Sequence, residues 1–182
     1  MISWFKTLCE EMDLKVKNIT RMALLTAIAL TIFMVEAQIP ALVPIPGIKL
    51  GLSNIVTIFA VFLLGGKSAA AILFARIFLG AIFSGQFSTI FYSAAGGLLA
   101  WLAAIGLKQI LTQKQIWVAG CLGAIAHSIG QMAVAVLLTG TPGLLIYLPV
   151  MILCSVITGI FTGLCAQVLL NRGDKLWKTF LK

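Results

Sequence analysis

Long apolar stretches without a charged side chain constrain this sequence more than any other feature. Residues 115–171, for example, contain no Asp, Glu, Lys or Arg. Across the chain 61% of the residues are hydrophobic, 10% are charged, and the mean hydropathy is +1.12. A water-soluble domain needs charged groups over most of its surface. These stretches are therefore suited to contact with lipid and not with water. The sequence therefore predicts an integral membrane protein.

Six membrane-spanning helices fit the length of the chain, because one helical span needs about 20 apolar residues. The apolar runs are too long and too uniform for the alternating strands of a membrane barrel, which leaves an all-α fold. We place the predicted spans at residues 19–37, 48–66, 68–84, 87–107, 117–139 and 144–170.

The basic residues predict the orientation of these spans, because Lys and Arg in short loops are retained in the cytoplasm. In the six-span arrangement nearly all of them fall on one side, together with both ends of the chain, so both termini are predicted to be cytoplasmic. The predicted divisions are an amphipathic N-terminal segment on the inner leaflet (residues 1–18), a six-helix membrane domain (19–171) and a basic cytoplasmic tail (172–182). Topology and anionic lipid then explain the net charge of +8, and we expect no nucleic-acid binding.

A cleaved signal peptide that ends near Glu36 is an alternative interpretation of the first apolar run. The segment before this run is long and contains acidic residues. Removal of the run would also leave an odd number of spans and spoil the charge pattern. We therefore interpret the first run as a span.

Motifs for catalysis are scarce in this sequence. The fragment GGKS at residues 65–68 resembles part of a phosphate-binding loop, but Val61 occupies the position where such a loop needs its first glycine. The 5 acidic residues form no aspartate-rich motif and offer no acid–base pair. The 4 cysteines lack the spacing of metal ligands. We expect no catalysis by this chain alone, and neither a metal nor a cofactor.

Polar groups inside the apolar runs are the candidate functional residues, because they are costly in lipid. Arg76 lies about 12 Å below the outer end of its predicted span, at about 1.5 Å per residue. The candidate ligand-binding residues are Glu36, Lys49, Asn54, Arg76, Gln86, His127 and Gln131. Two alternatives stay open: Arg76 pairs only with Glu36, and His127 makes only a hydrogen bond between helices.

The segment QIPALVPIPGI, residues 38–48, joins the first two predicted spans. Its prolines break helical continuation. Non-helical backbone at the membrane edge persists where it covers or lines a cavity. We expect a stiff loop that lies like a lid over a pocket on the outer side.

Several stretches resemble the bacterial Gx transporter family, also described as heptaprenyl diphosphate synthase component I. They are ALLTAIAL (residues 23–30), EAQIP (36–40) and the run from PIPGIKLGLSN to Gly97. The resemblance extends over about residues 20–170 and is most specific from Glu36 to Gly97. That family is similar in turn to S components, the substrate-binding subunits of energy-coupling factor transporters.

The resemblance implies a multi-pass protein of the bacterial plasma membrane, with an S-component-like fold and a pocket between the spans on the outer side. It also implies a docking patch for a coupling subunit at Ala23 and Ala27 on the first helix. Small residues at this spacing let two helices approach closely.

Two classes of function follow. In the first, the chain is the substrate-binding subunit of an energy-coupling factor type uptake transporter, and it captures a small ligand of anionic, isoprenoid or heterocyclic chemistry. Its partners are then a transmembrane coupling subunit and ATPase subunits. In the second, it is a non-catalytic membrane component associated with heptaprenyl diphosphate synthase and menaquinone biosynthesis, or with quinone- or flavin-linked electron transfer. Its partner is then a prenyltransferase or a redox protein.

Overall fold

The structure is a computed structural model that describes residues 2–39, 49, 51–85 and 87–180. Within these ranges all regular secondary structure is helical, which confirms the all-α fold class. The α-helices are α1 (Ile2–Glu36), α2 (Asn54–Leu64), α3 (Gly66–Ser84), α4 (Thr89–Lys108), α5 (Ile116–Thr139) and α6 (Leu148–Phe180). Short 3-10 helices at Gln113–Gln115 and Pro142–Tyr147 precede α5 and α6.

Among the described residues, 5 helical segments are long and apolar enough to cross a membrane. They are Leu14–Glu36, Gly66–Ser84, Thr89–Lys108, Ile116–Thr139 and Pro142–Gly173. These segments coincide closely with the first, third, fourth, fifth and sixth predicted spans. The chain is therefore a multi-pass membrane protein.

The second predicted span, residues 48–66, is longer than the helix that forms there. α2 has 11 residues, and so a length of about 16 Å, whereas the hydrocarbon core is about 30 Å thick. Gly65 separates α2 from α3. Its φ is 92°, a backbone conformation that glycine adopts easily because glycine has no Cβ atom. α2 alone is too short to cross the membrane, and the six-span count is not confirmed.

α2 forms the centre of the helix bundle despite its length. It contacts each of the other five α-helices described. Its buried side chains include Ile58, Ala60 and Val61, and each is at most 1% exposed. The principal apolar core therefore forms around the shortest α-helix.

Glycines allow the closest packing in the bundle, between α5 and α6. Gly120 of α5 lies against Gly159 and Gly163 of α6. A Cβ atom on Gly120 would lie 2.5 Å from the Cα of Gly163, which is closer than two such atoms can come. The absence of a side chain is what allows these two backbones to touch.

The structure does not test several predictions about the ends and the loops of the chain. α1 continues without a break from Ile2 to Glu36, so no helix end marks the predicted division at residue 18. The position of the N-terminal segment on the inner leaflet, the basic tail and the cytoplasmic termini all stay predictions. Residues 40–48 of the predicted lid lie outside the described residues.

Replacement of Gly120 by Ala should destabilise the bundle, because the new methyl group meets backbone atoms that cannot rotate away. We expect a loss of about 1–3 kcal/mol in the free energy of unfolding, the usual range for overpacking. Unfolding of the purified protein in detergent measures this loss. The matched control is Gly106→Ala in α4, where no atom lies within 4 Å of the added Cβ. Equal unfolding of the two variants would contradict the close packing of α5 on α6.

Candidate functional site

Glu36, the last residue of α1, is 4% exposed and lies at the start of α2. Its Oε1 accepts a hydrogen bond from the backbone N–H of Gly51, and the N–H groups of Leu52 and Ser53 also face the carboxylate. The N–H groups at the start of a helix have no partner within the helix. A negative charge there also complements the positive end of the helix dipole. Glu36 therefore binds, from a neighbouring helix, the turn of residues 51–53 that leads into α2.

The other end of α2 is capped by a cation. The Nζ of Lys108, at the end of α4, donates hydrogen bonds to the carbonyl oxygens of Val61 at 2.6 Å and of Phe62 at 3.4 Å. Carbonyl groups in the last turn of a helix lack helical partners, and a positive charge complements the negative end of the dipole. The short helix thus has an anion at its start and a cation at its end.

Arg76 of α3 reaches the first turn of α2 from the opposite side and is 2% exposed. Its Nη1 donates a hydrogen bond to the hydroxyl of Ser53, and this hydroxyl makes no helix-capping bond. The Nε and Nη2 atoms of Arg76 have no hydrogen-bond partner among the described residues. The guanidinium group is therefore buried, and two of its three nitrogen atoms make no hydrogen bond within the described part of the chain.

The ring of Phe33 connects Arg76 with Lys49. The Nζ of Lys49 lies 3.6 Å from the ring centroid, and the Cζ of Arg76 lies 5.6 Å from it. Both distances are within the range of cation–π attraction, which offsets part of the cost of removing the two cations from water. Gly80, one turn after Arg76, leaves room for this ring.

His127 of α5 is 3% exposed and packs against two glycines. A Cβ atom on Gly51 would lie 3.0 Å from the Cδ2 of His127, and one on Gly96 of α4 would lie 2.8 Å from its Nδ1. The φ of Gly51 is also +79°, so both space and backbone conformation favour glycine there. These close approaches bring His127 to the same turn that Glu36 and Arg76 bind.

We call these side chains the polar cluster: Glu36, Lys49, Ser53, Asn54, Arg76 and His127. Its charged members are two cations and one carboxylate, and the charge of Arg76 acts on both Glu36 and His127. Buried atoms of the cluster without a hydrogen-bond partner among the described residues are Glu36 Oε2, Asn54 Nδ2 and Oδ1, Arg76 Nε and Nη2, and His127 Nδ1. A buried polar group left without a partner costs about 1–3 kcal/mol. The arrangement is therefore suited to a polar ligand.

The predicted candidates fall into three groups. Five of them lie in the polar cluster. Gln131 is buried one turn from His127 on α5, and its Oε1 also has no hydrogen-bond partner in the described part of the chain. Gln86 lies outside the described residues. No group of three or more His, Cys, Asp or Glu side chains within the described ranges could hold a metal ion.

Sequence reasoning missed two members of the site, Ser53 and Phe33. Ser53 directly precedes Asn54, and its bond with Arg76 joins residues 23 positions apart in the sequence, which no local pattern indicates. Phe33 lies three residues before Glu36 and shares a face of α1 with it, which is the signal that could have identified it.

The fold and the site together define a multi-pass α-helical membrane protein with a buried, partly unpartnered polar cluster. The family heptaprenyl diphosphate synthase component I matches residues 25–169, and this chain belongs to that family. The family resemblance is thereby confirmed. The family's name describes one component of a synthase, which agrees with our expectation that the chain is not itself an enzyme. No curated protein and no solved structure matches the chain. Similarity to S components stays a prediction.

Replacement of Lys108 by Met should weaken α2, because the carbonyl groups of Val61 and Phe62 lose their charged donor. We expect a loss of about 1–2 kcal/mol in the free energy of unfolding, measured in detergent. Lys114→Met removes the same charge from an exposed position near the start of α5 and serves as the control. If the two variants unfold alike, Lys108 does not cap α2.

Proposed function

We propose that this chain is a non-catalytic, ligand-binding membrane subunit that holds a small anionic ligand in the polar cluster. The observation that carries this proposal is the guanidinium group of Arg76, which is buried while its Nε and Nη2 have no hydrogen-bond partner among the described residues. Ionisable groups inside a membrane protein are costly and mark ligand or ion sites. A group that served only to support the fold would have its donors satisfied.

The charge balance supports an anionic ligand. Arg76 and Lys49 carry two positive charges against the single negative charge of Glu36, and the Oε1 of Glu36 already bonds to backbone. An added carboxylate or phosphate group would neutralise the excess charge in a region of low dielectric. Arginine suits this task because its planar guanidinium group binds such anions through two parallel hydrogen bonds.

Within this proposal, the chain works as the S-component-like subunit of an energy-coupling factor type uptake transporter and receives its ligand from the outer side. A subunit without an ATPase needs partners that supply the energy, namely a transmembrane coupling subunit and ATPase subunits. Ala23 and Ala27 support such an assembly, because both are exposed on α1 and not used for packing within the described bundle.

Replacement of Arg76 by Gln should leave membrane insertion close to normal and reduce ligand retention about tenfold or more. This is the loss expected when a charge-assisted contact worth about 1.5–3 kcal/mol is removed. Lys49→Gln should act in the same direction but more weakly, since Lys49 is only partly buried. Mass spectrometry of the small molecules that each purified variant retains provides the measurement, with thermal unfolding recorded alongside.

Two further variants distinguish binding from a structural role of Arg76. Ser53→Ala removes the hydrogen bond that Arg76 donates to protein but keeps the guanidinium group, so it should retain ligand. The double variant Glu36→Gln with Arg76→Gln tests simple pairing, which predicts that the second change restores part of the stability lost in the first. Equal ligand retention by wild type, Arg76→Gln and Lys49→Gln would reject the proposal.

The second candidate function is a membrane component associated with heptaprenyl diphosphate synthase, and the family match favours it. In this function the chain serves a prenyltransferase, or a redox partner in quinone- or flavin-linked electron transfer. The proteins that copurify from native membranes discriminate the two candidates: coupling and ATPase subunits support the first, and a prenyltransferase or redox partner supports the second.

Substitution of Leu for both Ala23 and Ala27 should weaken association with the partner subunit, because bulky side chains hold two helix backbones apart. The fold should persist, since both alanines are exposed. Ala71→Leu with Ala75→Leu is a matched control, because these two alanines are also exposed and four residues apart, on α3. Pull-down of the partner from native membranes measures the effect. If the α1 and α3 pairs behave alike, Ala23 and Ala27 do not form the docking patch.

A further inference from the structure

Two side-chain amides are buried in and beside the polar cluster with hydrogen-bonding atoms left over. Asn54 begins α2 and is 2% exposed, and Gln131 of α5 is 1% exposed. Neither the Nδ2 nor the Oδ1 of Asn54 has a hydrogen-bond partner among the described residues, and the Oε1 of Gln131 has none there either. Most buried polar side-chain atoms in proteins have a partner. These two amides are therefore suited to a ligand that supplies the missing bonds.

The imidazole ring of His127 marks where the two amides lie. A Cβ atom on Gly51 would lie 3.0 Å from both the Nδ2 of Asn54 and the Cδ2 of His127, so these two side chains are neighbours. Gln131 follows His127 by one turn, on the same face of α5 and about 6 Å further along the helix axis. The charge of Arg76 also acts on His127. The site therefore has a charged part around Arg76 and a neutral part made of Asn54 and Gln131.

A simple anion does not satisfy the neutral part of the site. The nitrogen atoms of Arg76 that lack a partner within the described ranges are donors, and a carboxylate or sulfate group can accept their hydrogen bonds. The Oδ1 of Asn54 and the Oε1 of Gln131 are acceptors, and such an anion has no hydrogen atom to donate to them. A buried acceptor without a donor costs about 1–3 kcal/mol. A ligand that satisfies the whole site therefore brings N–H or O–H groups as well as its negative charge.

The amide of Asn54 selects among such groups, because its donor and its acceptor both lack partners in the described part of the chain. It can form two parallel hydrogen bonds with a group that presents an N–H and a C=O on the same edge. A trans amide in an open chain points these two groups in opposite directions, whereas a cyclic amide or imide holds them side by side. Asparagine recognises the edge of adenine through a similar donor–acceptor pair. A cyclic amide or imide is thus the chemistry that matches Asn54.

We infer that the ligand of the polar cluster is an anion that also carries a cyclic amide or imide. The N–H and C=O groups of this ring pair with Asn54, and Gln131 accepts a further hydrogen bond from the ligand. The inference rests on the proposed function, because it places the negative charge of the same ligand at Arg76, and it adds the chemistry of the neutral part. An anion that carries only an apolar chain does not fit, since it leaves both amides unpaired.

Orotate tests the inference, because it combines a carboxylate with a cyclic imide on the opposite side of one ring. Orotate methylated at the imide nitrogen is the matched probe, since it keeps the charge and the carbonyl groups and lacks only that N–H. The rise in unfolding temperature with probe concentration measures the binding of each probe to the full-length protein in phosphatidylcholine nanodiscs. Orotate should bind about tenfold or more tightly than its methylated form. Equal binding of the two probes, or no binding of orotate, would overturn the inference.

A double variant tests whether the two amides cause the preference for orotate. Asn54→Leu with Gln131→Leu should bind the two probes alike. Without probe it should unfold at no lower temperature than the wild type, because the acceptors that it removes have no partner within the described residues. Gln167→Leu is the control: the Oε1 of Gln167 accepts a hydrogen bond from the N–H of Trp117 at 3.3 Å, so this amide serves the fold, and its loss should keep the preference for orotate. A preference that persists in the double variant would contradict the inference.

Arg76→Gln separates failure of this inference from failure of the proposed function. It should weaken both probes about tenfold or more and leave the ratio of their affinities unchanged, because the carboxylate is common to both. If the wild type binds both probes equally and Arg76→Gln weakens both, the anion site stands and the inference about the neutral part is wrong. If Arg76→Gln weakens neither probe, the proposed anion site is wrong, and the inference fails with it.

Discussion

A helix of 11 residues at the centre of a membrane protein must have its end groups satisfied by protein, and this requirement organises the structure. Inside the bilayer, water does not reach backbone N–H and C=O groups that lack partners. Glu36 supplies an anion at the start of α2, and Lys108 supplies a cation at its end. Because all the other α-helices described pack against α2, the position of the bundle core depends on these two contacts.

The contact of Glu36 with the turn that leads into α2 also creates the chemistry of the polar cluster. Glu36 lies close to the backbone of Gly51. Because that glycine has no side chain, His127 can also pack against it. Arg76 fixes the same turn through Ser53, yet keeps two nitrogen atoms without partners among the described residues. A buried network that is only partly satisfied is unfavourable until further groups complete it. The residues that support the start of α2 are therefore also the ones that we propose to bind the ligand.

Sequence patterns predicted the fold class and most of the candidate site because both follow from the cost of polarity in lipid. The long apolar runs gave five spans close to their observed positions, and the rare polar residues within them pointed to Glu36, Arg76 and His127. The extent of α2 could not be read in this way, since residues 48–66 are apolar enough for a span and only tertiary contacts reveal that the helix begins at Asn54. The roles of Ser53 and Lys108 were also inaccessible, because each depends on a partner far away in the sequence.

An experimental structure of the protein, purified from native membranes without added ligand, tests the central claim most directly. The decisive feature is the set of atoms around the Nε and Nη2 of Arg76. Our account predicts a non-protein group within hydrogen-bonding distance of at least one of these nitrogens, carrying the negative charge that the polar cluster needs. A direct bidentate pair between Arg76 and Glu36, with every guanidinium donor bonded to protein, would contradict it.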